Sequence, residues 1–134
     1  MSPSTWSVQT QWPPDARHVR DARRFVTDRL VADELDDLVD VVTIIVSELV
    51  TNAVRHAGSP FRITVERQDG GLLLEVHDES SSPARIPDPT FLADGGRGLA
   101  LVGSLSETWG VTAHPGGGKS VWARVRLDDD SQGR

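Results

Sequence analysis

The stretch Thr43 to Gly58, TIIVSELVTNAVRHAG, predicts the back half of a buried helix, and the other elements are organised around it. Glu48 and Asn52 interrupt its apolar surface, and because they are four residues apart they share one side of the helix. Burying an unpaired carboxylate is costly, so both side chains are expected to face a solvent-filled cleft. The apolar residues recur at spacings of three and four and cover most of the circumference; they are Val42, Ile45, Val46, Leu49, Val50, Ala53 and Val54.

Length and composition indicate a single domain. The chain has 134 residues, of which 37% are hydrophobic and 25% charged, enough for a substantial core. A net charge of -6 argues against a nucleic-acid backbone as the main partner. The absence of cysteine excludes disulfides and thiolate metal sites. Only one of the 14 basic residues is a lysine, Lys119, an imbalance that indicates compositional bias more than function.

Targeting features are missing from the sequence. No apolar run approaches the roughly 20 residues that span a membrane. The start, MSPSTWSVQTQWPPDAR, has neither the charged region nor the apolar region of a signal peptide. We therefore expect a cytoplasmic protein with no membrane contact.

Two long helices are predicted before most of the strands. The first follows Pro14, which suits a first helical turn, with Asp15 helping to cap it and apolar positions continuing to Leu30. The second begins near Asp33 and contains the opening stretch to His56, where a glycine and a proline stop it.

Four arginines lie on the other side of the first predicted helix. A solvated helix face is favoured over a phosphate site, because aspartates are interspersed with them. The arginines are Arg17, Arg20, Arg23 and Arg24, and the aspartates are Asp15, Asp21 and Asp28.

Alternating apolar residues predict five strands, two of them joined by a hairpin turn at Asp69, Gly70 and Gly71. A short helix over Arg97 to Ser104 precedes the last two. Because the long helices come first and most strands follow, the pattern predicts an α+β fold, a sheet with its helices on one face. The strands are Trp6 to Gln11, Phe61 to Val65, Leu72 to Val76, Thr108 to Ala113 and Ser120 to Leu127.

A long irregular segment separates the middle strands from the short helix. From His77 to Gly95 the chain is rich in serine and proline, and a loop of this length is either functional or disordered. The domain is expected to cover residues 1–127, and the polar tail 128–134 to be disordered.

Two glycine-rich stretches are candidates for phosphate binding. In GGRGLALV, three glycines stand at a helix entrance, where N–H groups and the helix dipole attract anions; a flexible loop before a plain helix start explains the stretch equally well. HPGGGKS ends like a Walker A motif, but Ala113 occupies a required glycine position and the following residues alternate like a strand. The P-loop is therefore rejected.

Isolated polar residues are less informative. Asp78 closes a strand, where side chains reach into clefts, although a turn or cap role is commoner for a single aspartate. His56, His77 and His114 show no zinc-ligand spacing, and no Ser, His and Asp set indicates a hydrolytic triad.

In combination, these motifs resemble the GHKL ATPase superfamily, which includes gyrase, heat-shock chaperones, histidine kinases and mismatch-repair proteins. SELVTNAVRHAG resembles its N box, Asp78 matches the aspartate of its first glycine box, and GGRGLALV resembles its second. GGGKSVWARV resembles its last glycine-containing strand pair. The chain most resembles the small bacterial anti-sigma factor serine kinases, from PPDARHVRDARRFV through VWARVRL. The resemblance implies the two-layer Bergerat fold, with a mixed, mostly antiparallel sheet.

The resemblance also implies roles for individual residues. Asn52 matches the asparagine that ligates Mg²⁺ on the ATP phosphates, and Glu48 matches the general base. Asp78 matches the residue that accepts a hydrogen bond from the adenine amino group. Ser120 matches a threonine near the base, and Ser80 to Gly95 would form the ATP lid. Backbone N–H groups facing the phosphates would come from Gly96, Arg97, Gly98 and Leu99.

Three functions follow as hypotheses. The first is an ATP- and Mg²⁺-dependent serine kinase that holds a sigma factor inactive and phosphorylates a STAS-type anti-anti-sigma antagonist, with a homodimer expected. The second is a module that has lost catalysis and acts by sequestering its partner; it is favoured because Ser80 and Ser82 replace both glycines of the first box. The third, a detached histidine-kinase catalytic domain, is disfavoured by Glu48 and the short lid.

Overall fold

A five-stranded sheet forms one layer of the computed structural model, which describes residues 5–79 and 96–127. The strands follow the order β1-β2-β3-β5-β4 across the sheet. All five predicted strands are confirmed. Their bounds are β1 Trp6–Trp12, β2 Phe61–Gln68, β3 Gly71–Asp78, β4 Thr108–Ala113 and β5 Lys119–Arg126.

The described strands pair antiparallel throughout, where a mixed sheet was expected. The chain returns from β3 through a helix and β4, and it is β5 that lies beside β3. β5 runs antiparallel to both β3 and β4, so β3 and β4 have the same direction. If β4 lay next to β3 in the sheet, that pair would be parallel. The order of the last two strands therefore makes the sheet antiparallel.

Three α-helices are described: α1 His18–Ala32, α2 Val39–Ala57 and α3 Gly96–Leu105. Gly58 caps the C-terminus of α2 with a left-handed φ of 65°, as expected for glycine at this position. The expected start of the second helix at Asp33 is wrong. Asp33 caps the end of α1, Glu34 takes a φ of 60°, and a short 3₁₀ turn over Asp36–Leu38 precedes α2.

Contacts with the sheet explain why Asp33 lies at the end of α1 and does not start the second helix. Trp6 Nε1 donates a hydrogen bond to its carboxylate at 2.8 Å, and Arg67 donates another. Burial raises the pKa of Asp33, but the hydrogen bonds from Trp6 and Arg67 outweigh it, and the pKa lies below its usual value. These contacts attach the end of α1 to the β1–β2 edge.

The core lies between the sheet and α2. Alternate residues of β2 and β3 point to this layer, and the predicted apolar residues of α2 from Val42 to Ala53 are buried there. α1 and α3 pack against α2, so the helices lie on one face of the sheet and the predicted α+β fold is confirmed. No helix in the described ranges is long and apolar enough to cross a membrane. The buried sheet residues are Phe61, Ile63, Val65, Leu72, Leu74, Val76, Val121, Ala123 and Val125.

Candidate functional site

A buried ion pair joins the end of β3 to the start of β5. Asp78 and Lys119 are register partners, and Lys119 Nζ donates a hydrogen bond to Asp78 Oδ2 at 2.8 Å. Asp78 is 1% exposed and Lys119 is 7% exposed. Because Asp78 continues the alternation of Leu74 and Val76, the pair lies on the helix-covered face of the sheet. The two strand ends thus hold a hydrogen-bond acceptor beside a donor.

Asn52 supplies an unsatisfied oxygen from α2. Its side chain is 7% exposed, and its Oδ1 has no hydrogen-bond partner in the part of the chain that the structure describes. A buried polar atom without a partner costs about 1–3 kcal/mol and is rare in folded proteins. An amide oxygen is a ligand that Mg²⁺ accepts, so the residue fits the predicted metal role.

A magnesium ion at Asn52 would need most of its ligands from elsewhere. Among residues 5–79 and 96–127, no group of three or more histidine, aspartate and glutamate side chains could hold a metal ion. Mg²⁺ commonly binds through one or two protein ligands together with waters and substrate phosphates. The arrangement therefore fits a metal that arrives with a phosphorylated ligand.

Glu48 lies one turn before Asn52 and opens into a groove of about 570 Å³ between α1 and α2. It is half-buried, whereas Asn52 is buried, so the two side chains predicted to share a cleft differ in solvent access. The groove is lined by Arg20, Arg23, Arg24, Thr27, Asp28, Thr43, Ile44, Ser47 and Glu48.

The start of α3 carries the second glycine-rich stretch. Gly96 is its first residue, Arg97 and Gly98 follow within the first turn, and the buried side chain of Leu99 joins the core. The first N–H groups of a helix have no partner within the helix and can bind phosphate. α3 packs against α2, so the two elements with predicted phosphate-side groups are neighbours.

A comparison with protein-family models agrees with this geometry. The model of the histidine kinase-like ATPase domain matches residues 12–125. The chain belongs to this family. No curated protein matches the chain. The match includes Glu48, Asn52, Asp78 and the start of α3, and it supports the GHKL-type prediction and an ATP-binding domain.

Ser120 is separated from the rest of the predicted site in this histidine kinase-like domain. It pairs with His77 in the register, and neighbouring side chains of a strand point to opposite faces, so it lies on the face away from the helices. Its Oγ is 3.3 Å from His77 Nδ1 and 2.9 Å from His114 Nε2. The residue beside Asp78 is Lys119. From the sequence, this single lysine was interpreted only as a sign of compositional bias; knowledge of the β3–β5 register would have placed it in the site.

Other predicted features fall outside the described residues. Ser80 and Ser82 of the altered glycine box, the lid from Ser80 to Gly95 and the tail 128–134 are among them. The four arginines are exposed, which agrees with a solvated face; Arg17 immediately precedes α1, and the three within the helix also line the groove beside Glu48.

Proposed function

We propose that the domain is a Mg²⁺-dependent protein serine kinase of the anti-sigma type, which phosphorylates a STAS-type anti-anti-sigma antagonist and also binds a sigma factor. One observation carries the proposal: a carboxylate, Glu48, stands at an open groove one helical turn from the unsatisfied oxygen of Asn52. A general base has to reach the proton of the substrate, which the open groove allows, and an amide oxygen without a hydrogen-bond partner is available to a metal ion.

Glu48 would accept the proton of the substrate serine as its oxygen attacks the γ-phosphorus. The new Oγ–P bond forms while the bond between the γ-phosphorus and the bridging oxygen breaks, and ADP leaves with that oxygen. Asn52 would hold Mg²⁺, which neutralises charge on the phosphates when bound. The N–H groups at Gly96 to Leu99 would orient the γ-phosphate by hydrogen bonds.

The groove supports a protein substrate. A folded partner must approach Glu48 from solvent, and the groove is open on the surface between α1 and α2. Three exposed arginines line it in a chain of net charge -6, so a partner with acidic side chains near its serine is favoured there.

The test separates catalysis from nucleotide binding. Purified wild type and Glu48→Gln are incubated with Mg-ATP and STAS-domain proteins from the same genome, and phosphoserine is measured by mass spectrometry. We expect Glu48→Gln to bind ATP like wild type but to lose at least about a hundredfold in transfer rate. Unchanged transfer by Glu48→Gln would exclude the base assignment.

The second candidate function is sequestration of a partner without catalysis. It is favoured by the ion pair of Asp78, whose carboxylate is already bonded to Lys119, and by the two serines in the first glycine box. Robust Mg²⁺-dependent ATP turnover by the pure protein would rule this candidate out.

A further inference from the structure

Four polar side chains form a cluster on the face of the sheet that points away from the helices. His77 and Ser120 are register partners on β3 and β5. His114 directly follows β4, and Glu79 directly follows β3. The Ser120 hydroxyl lies 3.3 Å from His77 Nδ1 and 2.9 Å from His114 Nε2. The proposed phosphoryl transfer takes place on the opposite face and uses none of these side chains.

The contact with Glu79 defines the hydrogen-bonding state of the His77 ring. His77 Nε2 lies 3.3 Å from Glu79 Oε2, and because a carboxylate only accepts hydrogen bonds, this nitrogen carries the hydrogen. In the neutral ring the other nitrogen, Nδ1, then has a lone pair, which points to the Ser120 hydroxyl. His114 Nε2 approaches the same hydroxyl, and the two ring centroids are 5.0 Å apart. Ring nitrogens from two separate parts of the chain therefore converge on one point.

We propose that His77 Nδ1 and His114 Nε2 bind Zn²⁺ or another divalent transition-metal ion at this point. Imidazole nitrogens are favoured ligands of Zn²⁺, Cu²⁺ and Ni²⁺. A histidine that binds a metal ion usually donates its second ring N–H to a carboxylate, carbonyl or water, which orients the ring and makes it a stronger ligand. Glu79 has this relation to His77.

Metal binding requires a small rearrangement around Ser120. Its hydroxyl occupies the point of convergence, and rotation of the side chain about the Cα–Cβ bond clears that point. Zn–N bonds are about 2.0–2.1 Å long, so the two rings then have to move inward by roughly 1 Å. His114 lies on the turn that joins β4 to β5, outside the paired strand residues, so its ring can make most of this movement.

Two histidine ligands indicate an exchangeable metal ion. Structural zinc sites have four protein ligands and catalytic sites have three. Among residues 5–79 and 96–127, no group of three or more histidine, aspartate and glutamate side chains could hold a metal ion. Glu79 contacts the second nitrogen of His77, so it positions the ring and is not a third ligand. Water molecules would complete the coordination, and a chain without cysteine has no thiolate to compete for the ion.

The alternative role for the cluster is a hydrogen-bond network that binds no metal ion. The two roles differ in the effect of Ser120→Ala. If the hydroxyl competes with the ion for the two ring nitrogens, Ser120→Ala binds Zn²⁺ at least as tightly as wild type. If the hydroxyl is what holds the two rings together, its removal leaves no site.

The first test uses the unaltered, metal-free chain and Zn²⁺ as the probe. In calorimetry we expect one Zn²⁺ per chain. In ¹⁵N NMR spectra of the imidazoles, His77 Nδ1 and His114 Nε2 should change their chemical shifts on addition of Zn²⁺, while His77 Nε2 keeps its hydrogen. Because only the folded chain brings the two rings together, Zn²⁺ at a hundredfold excess over its Kd should raise Tm by roughly 8 °C.

Variants then assign the ligands, with His18→Gln on α1 as the matched control. We expect His77→Gln and His114→Gln each to weaken Zn²⁺ binding by at least about a hundredfold, and Glu79→Gln to weaken it by about tenfold. His18→Gln should bind like wild type. The inference is overturned if wild type binds no Zn²⁺, if the double His77→Gln, His114→Gln variant binds it like wild type, or if Ser120→Ala loses it. The kinase proposal concerns the other face of the sheet and is tested separately.

Discussion

The glycine turn before β5 gives a sharp test of how the site is built. Three consecutive glycines differ in the structure: Gly116 has no unusual φ and no neighbour within 4 Å of a Cβ built on it, Gly117 has a φ of 109° with open space, and Gly118 has a φ of 88° with a close backbone contact. Alanine at each position therefore separates conformational strain from steric contact with Asp78.

The magnitudes follow from these differences. Gly116→Ala should leave stability unchanged or raise it by about 0.4–1 kcal/mol, because alanine reduces the freedom of the unfolded chain. Gly117→Ala should cost about 1–3 kcal/mol through its left-handed backbone. Gly118→Ala adds a 2.6 Å contact with a backbone oxygen that has to shift, for about 2–5 kcal/mol in total.

Urea denaturation followed by circular dichroism measures these free energies of unfolding, with equal m-values showing that the unfolding reaction is the same. At roughly 3–4 °C per kcal/mol for a domain of this size, Gly118→Ala should lower Tm by about 10 °C. ATP affinity should fall for Gly118→Ala and stay unchanged for Gly116→Ala. Equal stability of the three variants would refute the packing of this turn on Asp78, and normal ATP binding by Gly118→Ala would refute a contribution of that packing to nucleotide binding.

Three further predictions concern other charged and polar groups. Asn52→Ala should abolish Mg²⁺-dependent ATP binding in calorimetry without loss of Tm, because the buried Oδ1 has no described partner; a large fall in Tm would show a structural role instead. Lys119→Met and Asp78→Asn should each lower the free energy of unfolding by about 3–5 kcal/mol, and the double variant by less than their sum, which a double-mutant cycle measures; additive losses would contradict the ion pair. Because the folded pKa of Asp33 is lowered, its stabilisation is complete above its ordinary pKa and is lost as the pH falls through the folded value. Asp33→Asn should therefore cost about 1–2 kcal/mol at pH 7 and less as the pH falls below about 4, in urea titrations at each pH; a pH-independent loss would contradict the assignment.

Much of the fold was predictable because the signals are local. The burial of Ile45 and Leu49 follows from apolar spacing in one helix, and the β2–β3 hairpin follows from alternation on either side of Gly70. The family motifs around Asn52 and at the start of α3 could be recognised for the same reason, because each occupies a continuous stretch of sequence.

The site was less predictable where it depends on contacts between distant residues. Aspartate is a residue type that often precedes a helix, but hydrogen bonds from Trp6 and Arg67 hold Asp33 at the end of α1. The exposed arginines of α1 gave no indication that three of them share a groove with Glu48, because that depends on how α1 packs on α2.

The sequence by itself determined the element order, the apolar face of α2 and the family to which the domain belongs. The tertiary structure decided which residue stands beside Asp78, because the register of β5 against β3 assigns Lys119 to the helix-covered face and Ser120 to the other. A shift of one residue in the register exchanges the two faces of a strand, and the register depends on long-range pairing that a single sequence does not display. The side chain beside Asp78 is therefore the ammonium of Lys119, whereas the sequence had predicted the hydroxyl of Ser120 for the site.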